Sequence, residues 1–293
     1  LESQDSNVVI PFEGPVEQLV VDEARGTVYL SSPQRKRLER FDYLNHRQLE
    51  PLAIAGAPYG LDLSTDGSAL FVAETQATSI AKLDLNSNPP AVTRRYYLEN
   101  PGIAYGQSDL ARWVTLSNQN HAYVNTYGSG NVKDIDLNTG MVSRSFSGPR
   151  RTRRNYSGSA RLLWDFLSPW SLLEQLEGSG SPSVLGPDLG EGGDAYYDRS
   201  GSRILTGFPL TLYSGGTLAL RSSLSGSQLT WNSGPYAYLH SNGNIVTSVE
   251  VASLTAASVL TLPSQATGPM FHSSDGHRLF VLCEDGLCIR RIP

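Results

Sequence analysis

Residues 57–75, APYGLDLSTDGSALFVAET, and residues 267–286, TGPMFHSSDGHRLFVLCEDG, follow one pattern. Each stretch has a proline followed by an aromatic residue or methionine, then an alternating strand, a turn that contains Asp-Gly, and an apolar strand. Glycine at such a turn supplies the positive φ that a tight hairpin requires. The two stretches are therefore copies of the same β-hairpin, placed far apart in the chain.

Weaker copies of this hairpin occupy the rest of the chain. Together they give seven turns, near Gly26, Gly67, Asn120, Gly158, Gly201, Gly243 and Gly276. The mean spacing between successive turns is about 42 residues, and a repeat of about 40–45 residues with several short strands is typical of a four-stranded propeller blade. The sequence therefore predicts an all-β fold, a seven-bladed β-propeller with four-stranded antiparallel blades. In each copy, the turn is interpreted as the link between strands A and B.

The two ends of the chain complement each other. The last copy contains only three predicted strands, at residues 269–274, 277–283 and 287–292. The segment NVVIPFEG, residues 7–14, precedes the first strand A and has no blade of its own. We expect it to supply the missing strand of the last blade, which closes the ring and leaves no unpaired edge. Residues 1–293 then form a single domain.

Two stretches fit the repeat less clearly. Residues 88–107 separate two turns more widely than elsewhere and are expected to contain a long strand D and a longer loop. Residues 168–178, SPWSLLEQLEG, carry helix signals, namely Ser before Pro, leucines at helical spacing and a final glycine. They also alternate as a strand. The repeat count favours strand C of the fourth blade, with a helix as the alternative.

The composition is that of a folded protein rich in turn-forming residues, with 17% charged and 39% hydrophobic residues. The net charge of −5 provides no general attraction to nucleic acid or anionic lipid, so either partner would require a local basic patch. No apolar run approaches the roughly 18 residues of a membrane span. Nucleic-acid binding and a membrane span are therefore not expected.

The clearest copies resemble the YVTN-type repeat of bacterial β-propellers. The matching features are the start Ala57-Pro58-Tyr59-Gly60, the turn at residues 64–67, the strand at residues 70–74 and the later turn at residues 136–140, DLNTG. The resemblance implies a seven-bladed propeller and a periplasmic or surface location. It implies no single activity, because the relatives include lactonases, lyases and binding modules, so function must be argued from the site.

The only two cysteines, Cys283 and Cys288, flank a hairpin turn. If Asp285-Gly286 forms the turn, Glu284 faces Leu287 and the cysteines face each other with Cα atoms roughly 4.5 Å apart. That distance is at the short end of disulfide geometry, so the spacing predicts a disulfide, with two reduced thiols as the alternative. A disulfide would indicate an oxidising compartment, either periplasmic or extracellular.

Propellers commonly bind ligands near the ring axis, on the face that carries the D–A and B–C loops. Residues expected there, at the start of strand A or in B–C loops, are Glu17, Tyr59, Glu74, Tyr105, Gln107, Tyr127, Asp194, Tyr236, His272 and Glu284. The tyrosines at positions 59, 105 and 236 recur at the same place in their repeats and are the candidate ligand-binding residues, together with His272. They either pack between blades or form a stacking platform for a sugar, peptide or base.

Two further candidate sites follow from charge. Glu17, Glu74, Asp194 and His272 could meet as ligands of a divalent cation, Ca²⁺ or Mg²⁺, or could each cap a turn or face solvent. The basic cluster consists of Arg150, Arg151, Arg153 and Arg154, with Tyr156 and Trp164 nearby. It could bind a polyanion through Arg and aromatic side chains or be a solvated loop.

The sequence contains no recognisable catalytic constellation. The Ser-Gly runs lack the G-x-S-x-G pattern of a serine hydrolase, and no phosphate-binding glycine motif precedes a helix. We therefore expect a non-catalytic, periplasmic or secreted platform for a protein, peptide or glycan. The first alternative is a metal-dependent enzyme of the lactonase or lyase kind at the propeller axis. The second is polyanion binding through the Arg cluster.

Overall fold

In the residues that the structure describes, β-strands assemble into seven separate four-stranded antiparallel sheets. This computed structural model describes residues 7–99, 109–117, 119–127, 130–147, 151–154, 160–163, 173–175, 183–184, 195–197, 203–207, 209–214, 217–226, 228–232 and 234–292. In the described part of the chain no helix is long and apolar enough to cross a membrane. We number the sheets as blades 1 to 7 and label the strands of each blade A to D.

The strands follow one another along the chain in groups of four. The N-terminal strand and the strands of blades 1 to 3 are β1 (Asn7–Ile10); β2 (Gln18–Asp22), β3 (Thr27–Ser32), β4 (Arg37–Asp42), β5 (Arg47–Ala53); β6 (Pro58–Leu63), β7 (Ala69–Glu74), β8 (Ser79–Asp84), β9 (Ala91–Tyr97); and β10 (Leu110–Leu116), β11 (His121–Tyr127), β12 (Asn131–Asp136), β13 (Val142–Ser147).

The remaining strands form blades 4 to 7 in the same way. They are β14 (Arg151–Arg154), β15 (Ala160–Leu163), β16 (Leu173–Gln175), β17 (Ser183–Val184); β18 (Ala195–Tyr197), β19 (Arg203–Gly207), β20 (Leu210–Ser214), β21 (Thr217–Arg221); β22 (Gln228–Trp231), β23 (Tyr236–Asn242), β24 (Ile245–Glu250), β25 (Thr255–Thr261); and β26 (Ala266–His272), β27 (Arg278–Cys283), β28 (Gly286–Arg291).

Most of the predicted A–B turns lie where the repeat places them. The turn residue has positive φ in blades 1, 2, 3 and 7, at Gly26 (63°), Gly67 (66°), Asn120 (59°) and Gly276 (78°). In blades 4 and 5 the turns near Gly158 and Gly201 lie outside the described residues, but the strands on either side of them pair as expected. The repeat therefore identifies real hairpins along the chain.

Blade 6 corrects the predicted phase of the repeat. Gly243, with φ of 67°, lies between β23 and β24, so its turn joins strands B and C rather than A and B. Strand A of this blade is β22, and residues 232, 234 and 235 are the described residues between it and β23. There the side-chain oxygen of Asn232 accepts a hydrogen bond from the Gly234 N–H at 3.0 Å. The error arose because an Asn-Gly turn marks a hairpin without indicating which two strands it joins.

The N-terminal strand pairs with the last strand of the chain, as predicted. β1 runs antiparallel to β28, with Val8 opposite Ile289 and Ile10 opposite Leu287, so blade 7 contains β26, β27, β28 and β1. The A strands of neighbouring blades also contact each other in order, and β26 contacts β2. The first and last blades are therefore neighbours in space.

The hydrophobic core lies between the blades. Each buried cluster combines residues from two adjacent blades, as in blades 2 and 3, where Phe71 and Tyr96 stack at 6.0 Å and share a cluster with Val114. Alternating strands place one set of side chains toward each neighbouring blade, and both sets are buried. The blades are therefore stabilised by face-to-face packing.

The two uncertain stretches contain strands. β9 is the long strand D expected within residues 88–107. Leu173–Gln175 form β16, strand C of blade 4, which pairs with β15 and β17, so these three residues follow the strand interpretation. The other residues of 168–178 lie outside the described part of the chain.

The disulfide is present between Cys283 and Cys288, but the predicted register of its hairpin is wrong. Cys283 pairs with Gly286 and Cys288 pairs with Val281, so the bond joins diagonal positions with Cα atoms 6.1 Å apart. The turn consists of residues 284 and 285. Gly286 is instead required in β28, because a Cβ there would lie 2.0 Å from the carbonyl oxygen of Ile10 in β1.

Candidate functional site

Four large side chains converge on the face that carries the D–A and B–C loops, which we call the DA/BC face. Tyr59 lies at the start of β6, Arg112 and Trp113 lie in β10, and Tyr127 ends β11. Strand A begins on this face and strand B ends on it, so residues of blades 2 and 3 meet here near the A strands. We call these four residues the aromatic–arginine cluster.

The arginine lies between two tyrosine rings. Its guanidinium carbon is 5.3 Å from the ring centroid of Tyr59 and 5.5 Å from that of Tyr127. Arg112 also donates a long hydrogen bond of 3.4 Å from Nη2 to the Tyr59 hydroxyl. Trp113 meets Tyr59 edge-to-face at 5.0 Å with an angle of 86°. Cation–π contacts contribute about 0.5–1 kcal/mol at exposed sites and help to fix the orientation of the guanidinium.

A β-bulge and a glycine build this cluster. The register between β10 and β11 shifts between Ala111 and Trp113, so Arg112 is the extra residue. A bulge redirects the side chains around it. Gly60 allows β6 to approach β10 closely, because a Cβ at that position would lie 2.6 Å from the carbonyl oxygen of Arg112 and from Cα of Trp113. Tyr59 is thereby held against Trp113.

The cluster presents both a flat surface and a positive charge to solvent. Tyr127 is 61% exposed, whereas Tyr59, Arg112 and Trp113 are partly buried. Aromatic rings can stack on a flat group, and a guanidinium can bind a carboxylate through two parallel N–H···O bonds. The arrangement is suited to binding an acidic or aromatic group.

A buried ion pair lies beside the start of β10. Lys133 Nζ is 3.0 Å from Asp109 Oδ2, and both side chains are less than 10% exposed. Asp109 immediately precedes β10, while Lys133 lies in β12, strand C of the same blade. Opposite charges that are buried together stabilise each other, whereas either charge alone is costly. The pair therefore links the start of β10, which carries Arg112 and Trp113, to the interior of blade 3.

The predicted ligand-binding residues do not all lie on this face. Tyr59 belongs to the cluster, and Tyr105 lies outside the described residues. Tyr236 begins strand B of blade 6, and His272 ends strand A of blade 7. Both therefore lie at the opposite face, which carries the A–B and C–D turns and which we call the AB/CD face. The phase error in blade 6 explains the misplacement of Tyr236, and His272 was assigned to the wrong end of its strand.

The candidate metal ligands that the structure describes do not form one group. Glu74 is buried within blade 2. Its Oε2 accepts a hydrogen bond from Ser79 Oγ at 2.7 Å and lies 3.1 Å from Arg95 Nε. Glu17 is partly buried just before β2, and Asp194 lies outside the described residues. Among the residues that the structure describes, no group of three or more His, Cys, Asp or Glu side chains could hold a metal ion.

Three of the four arginines of the predicted polyanion site, at positions 151, 153 and 154, lie in a strand. Arg151–Arg154 form β14, strand A of blade 4, which pairs with β15, so for these residues the loop interpretation is wrong. Arg150, Tyr156 and Trp164 lie outside the described residues. Polyanion binding by this segment stays a prediction.

Sequence reasoning missed Arg112 and Trp113 and considered Tyr127 only as one of several B–C residues. The bulge that redirects Arg112 has no marker in the segment LARWVTL, residues 110–116. The contact with Tyr59 depends on how closely two blades approach. One usable signal was Gly60, because glycine inside a strand often marks a close approach by another backbone.

Tyr236 and His272 share a cavity of about 460 Å³ on the AB/CD face, between blades 6 and 7. The His272 ring is 5% exposed, lies edge-to-face 4.9 Å from Tyr238, and has no hydrogen-bond partner for either nitrogen among the described residues. Burial lowers the pKa of His272 below its usual value, and the nearby Gly276 backbone and Asp275 carboxylate oppose this only in part.

This burial predicts a loss of stability at acidic pH. The unfolded chain takes up a proton at His272 near pH 6.5, whereas the folded protein does so only at lower pH. Between these pKa values the unfolded state binds more protons, so the free energy of unfolding falls as the pH falls, by up to about 1.4 kcal/mol per pH unit. The free energy of unfolding, measured with urea at pH values from 7.5 to 5, should decrease less steeply with falling pH in His272→Phe than in wild type. His277→Gln, which replaces an exposed histidine nearby, is the control for loss of an imidazole as such. A pH dependence in His272→Phe equal to that of wild type would contradict the prediction.

The fold of the chain is similar to that of known structures. The chain resembles Kuenenia stuttgartiensis hydrazine synthase, with a TM-score of 0.69, 15% identity, and coverage of 91% of this chain and 92% of that chain. It also resembles the WD40 repeats of RRP9, with a TM-score of 0.74, 10% identity, and coverage of 99% and 98%. No protein-family model and no curated protein sequence matches the chain. The structural matches are β-propellers, and the chain shares that fold.

Proposed function

We propose that the seven blades form one closed ring over residues 1–293, and that the protein is a non-catalytic binding module of the YVTN-type propeller family. Pairing of β1 with β28 and contact between β26 and β2 support closure. The motifs at residues 57–74 and 136–140 support the family assignment. A periplasmic or extracellular location is supported by the disulfide, because such bonds persist in oxidising compartments.

The aromatic–arginine cluster binds a protein partner through an exposed segment that carries a carboxylate. The observation behind this proposal is the position of Arg112 between the rings of Tyr59 and Tyr127 on a solvent-facing bulge. Tyr, Trp and Arg are the residue types that dominate binding energy at protein interfaces. The tyrosine rings orient the guanidinium, and a carboxylate then binds along its N–H edge. The similarity to a WD40 propeller supports a platform role, since loops at the ends of a rigid scaffold are suited to recognition.

The test begins with an array of peptides, neutral and acidic, and a glycan array, each probed with the purified protein. The best-binding compound is then titrated against Tyr127→Ala, which we expect to weaken binding at least tenfold, since an interface aromatic commonly contributes about 2 kcal/mol or more. Tyr97→Ala is the matched control, because Tyr97 is 58% exposed but lies at the end of an outer strand. Arg112→Gln should reduce binding of acidic peptides more than that of neutral ones.

Three outcomes distinguish the alternatives. Selection of acidic peptides that depend on Tyr127 supports the proposal. Selection of glycans alone, with the same dependence on Tyr127, would identify the cluster as a sugar-binding site and contradict the proposal of a protein partner. Equal binding by wild type and Tyr127→Ala would remove the cluster from recognition altogether.

A further inference from the structure

A second cavity on the AB/CD face is lined by two arginine and two histidine side chains. It lies between blades 7 and 1, has a volume of about 370 Å³, and is lined by Arg278, Arg291, His46 and His277. Asp275 is the one carboxylate among its described lining residues. The chain as a whole has a net charge of −5, whereas the arginines of this cavity outnumber its carboxylate. It is distant from the aromatic–arginine cluster, which lies on the other face.

The two arginines stand directly opposite each other. Arg278 in β27 pairs with Arg291 in β28, so their side chains project from the same side of the sheet. That side faces blade 1, because Phe280 and Ile289, the next residues on it, pack in the same core cluster as Tyr43. Like charges directly opposite in neighbouring strands destabilise a sheet. An anion between them would convert this repulsion into two attractive contacts.

The single carboxylate is already engaged. Asp275 accepts hydrogen bonds from Ser273 Oγ at 2.6 Å and from the His277 N–H at 2.9 Å, which places it in its own turn. It lies 3.6 Å from Arg278 Nη1 and so offsets part of one guanidinium charge. Arg278 also lies over the Tyr43 ring at 5.7 Å, which restricts its orientation. The charge of Arg291 has no such acidic neighbour among the lining residues.

We propose that this cavity is a binding site for a tetrahedral oxyanion, phosphate or sulfate. Arg278 and Arg291 bind its oxygens with charge-assisted hydrogen bonds, and the imidazoles of His46 and His277 line the same cavity as further donors. Leu44, which is 56% exposed, and Val8 provide an apolar wall beside the charged one. The cavity therefore accommodates either the free ion or a monoester whose organic group contacts this wall.

The test measures binding of sodium sulfate, inorganic phosphate and phenyl phosphate by calorimetry, with sodium chloride added to keep the ionic strength constant. We expect saturable binding that weakens roughly tenfold in Arg291→Gln, the effect of losing one charge-assisted partner. Asp275→Asn should strengthen binding, because it removes the negative charge and retains the acceptor oxygen of the turn. Arg221→Gln, an exposed arginine in the outer strand of blade 5, is the control and should bind as wild type does.

Stability without ligand separates this role from a structural one. If Arg291 serves the anion, Arg291→Gln should be at least as stable as wild type in chloride, because the substitution relieves the repulsion with Arg278. Tighter binding of phenyl phosphate than of phosphate would assign the site to a monoester, and equal binding to the free ion; both results support the site. Absence of saturable binding at constant ionic strength, or equal binding by wild type and Arg291→Gln, overturns the proposal.

Discussion

Replacing Lys133 with methionine should lower the free energy of unfolding by about 3–5 kcal/mol. The substitution keeps most of the volume of the side chain but leaves the carboxylate of Asp109 buried without its cation. Asp109 Oδ1 already has no hydrogen-bond partner among the described residues, so little remains to compensate the charge. Urea unfolding monitored by tryptophan fluorescence provides the measurement.

Two further variants identify the cause of that loss. Lys82→Met is the matched control, because Lys82 lies in β8, strand C of blade 2, is only partly buried and makes a cation–π contact with Phe71 in place of a buried ion pair. Its cost should stay below about 1 kcal/mol. The double variant Asp109→Leu with Lys133→Met should recover most of the stability lost in the single variant, since both charges are then removed. A double variant no more stable than Lys133→Met would show that packing, rather than the uncompensated charge, causes the effect.

The architecture was predictable because it depends on local chemistry repeated along the chain. A turn that needs positive φ selects Gly or Asn, and alternation selects a strand on each side, so Gly26, Gly67, Asn120 and Gly276 mark hairpins without reference to the rest of the fold. The same locality explains the phase error at Gly243. A turn marks two adjacent strands, but only their position in the blade tells whether they are A and B or B and C.

The candidate sites depend on distances between blades, and the sequence does not contain these directly. Arg112 reaches the two tyrosines because one strand has an extra residue at that point and another lacks a Cβ at Gly60. Arg278 and Arg291 are thirteen positions apart in the chain, and they become opposed only once the register of the last hairpin is known. The predicted turn was displaced by one residue, which shifted each predicted pairing partner by two, so the predicted register did not place these arginines opposite each other. Contacts made by two blades together thus require the folded structure.

Gly286 in β28 lies very close to the backbone of β1, and its replacement is expected to cause the second large loss of stability. Gly286→Ala should lower the free energy of unfolding by about 3–5 kcal/mol, because φ is +146° and the new Cβ would overlap the carbonyl group of Ile10, which is backbone. Gly67→Ala separates the two causes. It also has positive φ, 66°, but no atom lies within 4 Å of the Cβ position, so it should cost only about 1 kcal/mol.

Hydrogen exchange is the measurement that locates the loss of stability in Gly286→Ala. In Gly286→Ala the amides of β1 and their partners in β28 should exchange faster than in wild type, while those of β11 in blade 3 keep their relative protection, because the new methyl group forces β1 away from β28. If β1 closes the ring, its release exposes an edge on blade 7 and weakens the contact between blades 7 and 1, so global stability also falls. Faster exchange confined to β1, with an unchanged unfolding midpoint, would mean that the strand covers the last blade but contributes nothing to the cooperativity of the ring. A cost no greater than that of Gly67→Ala would contradict the close approach itself.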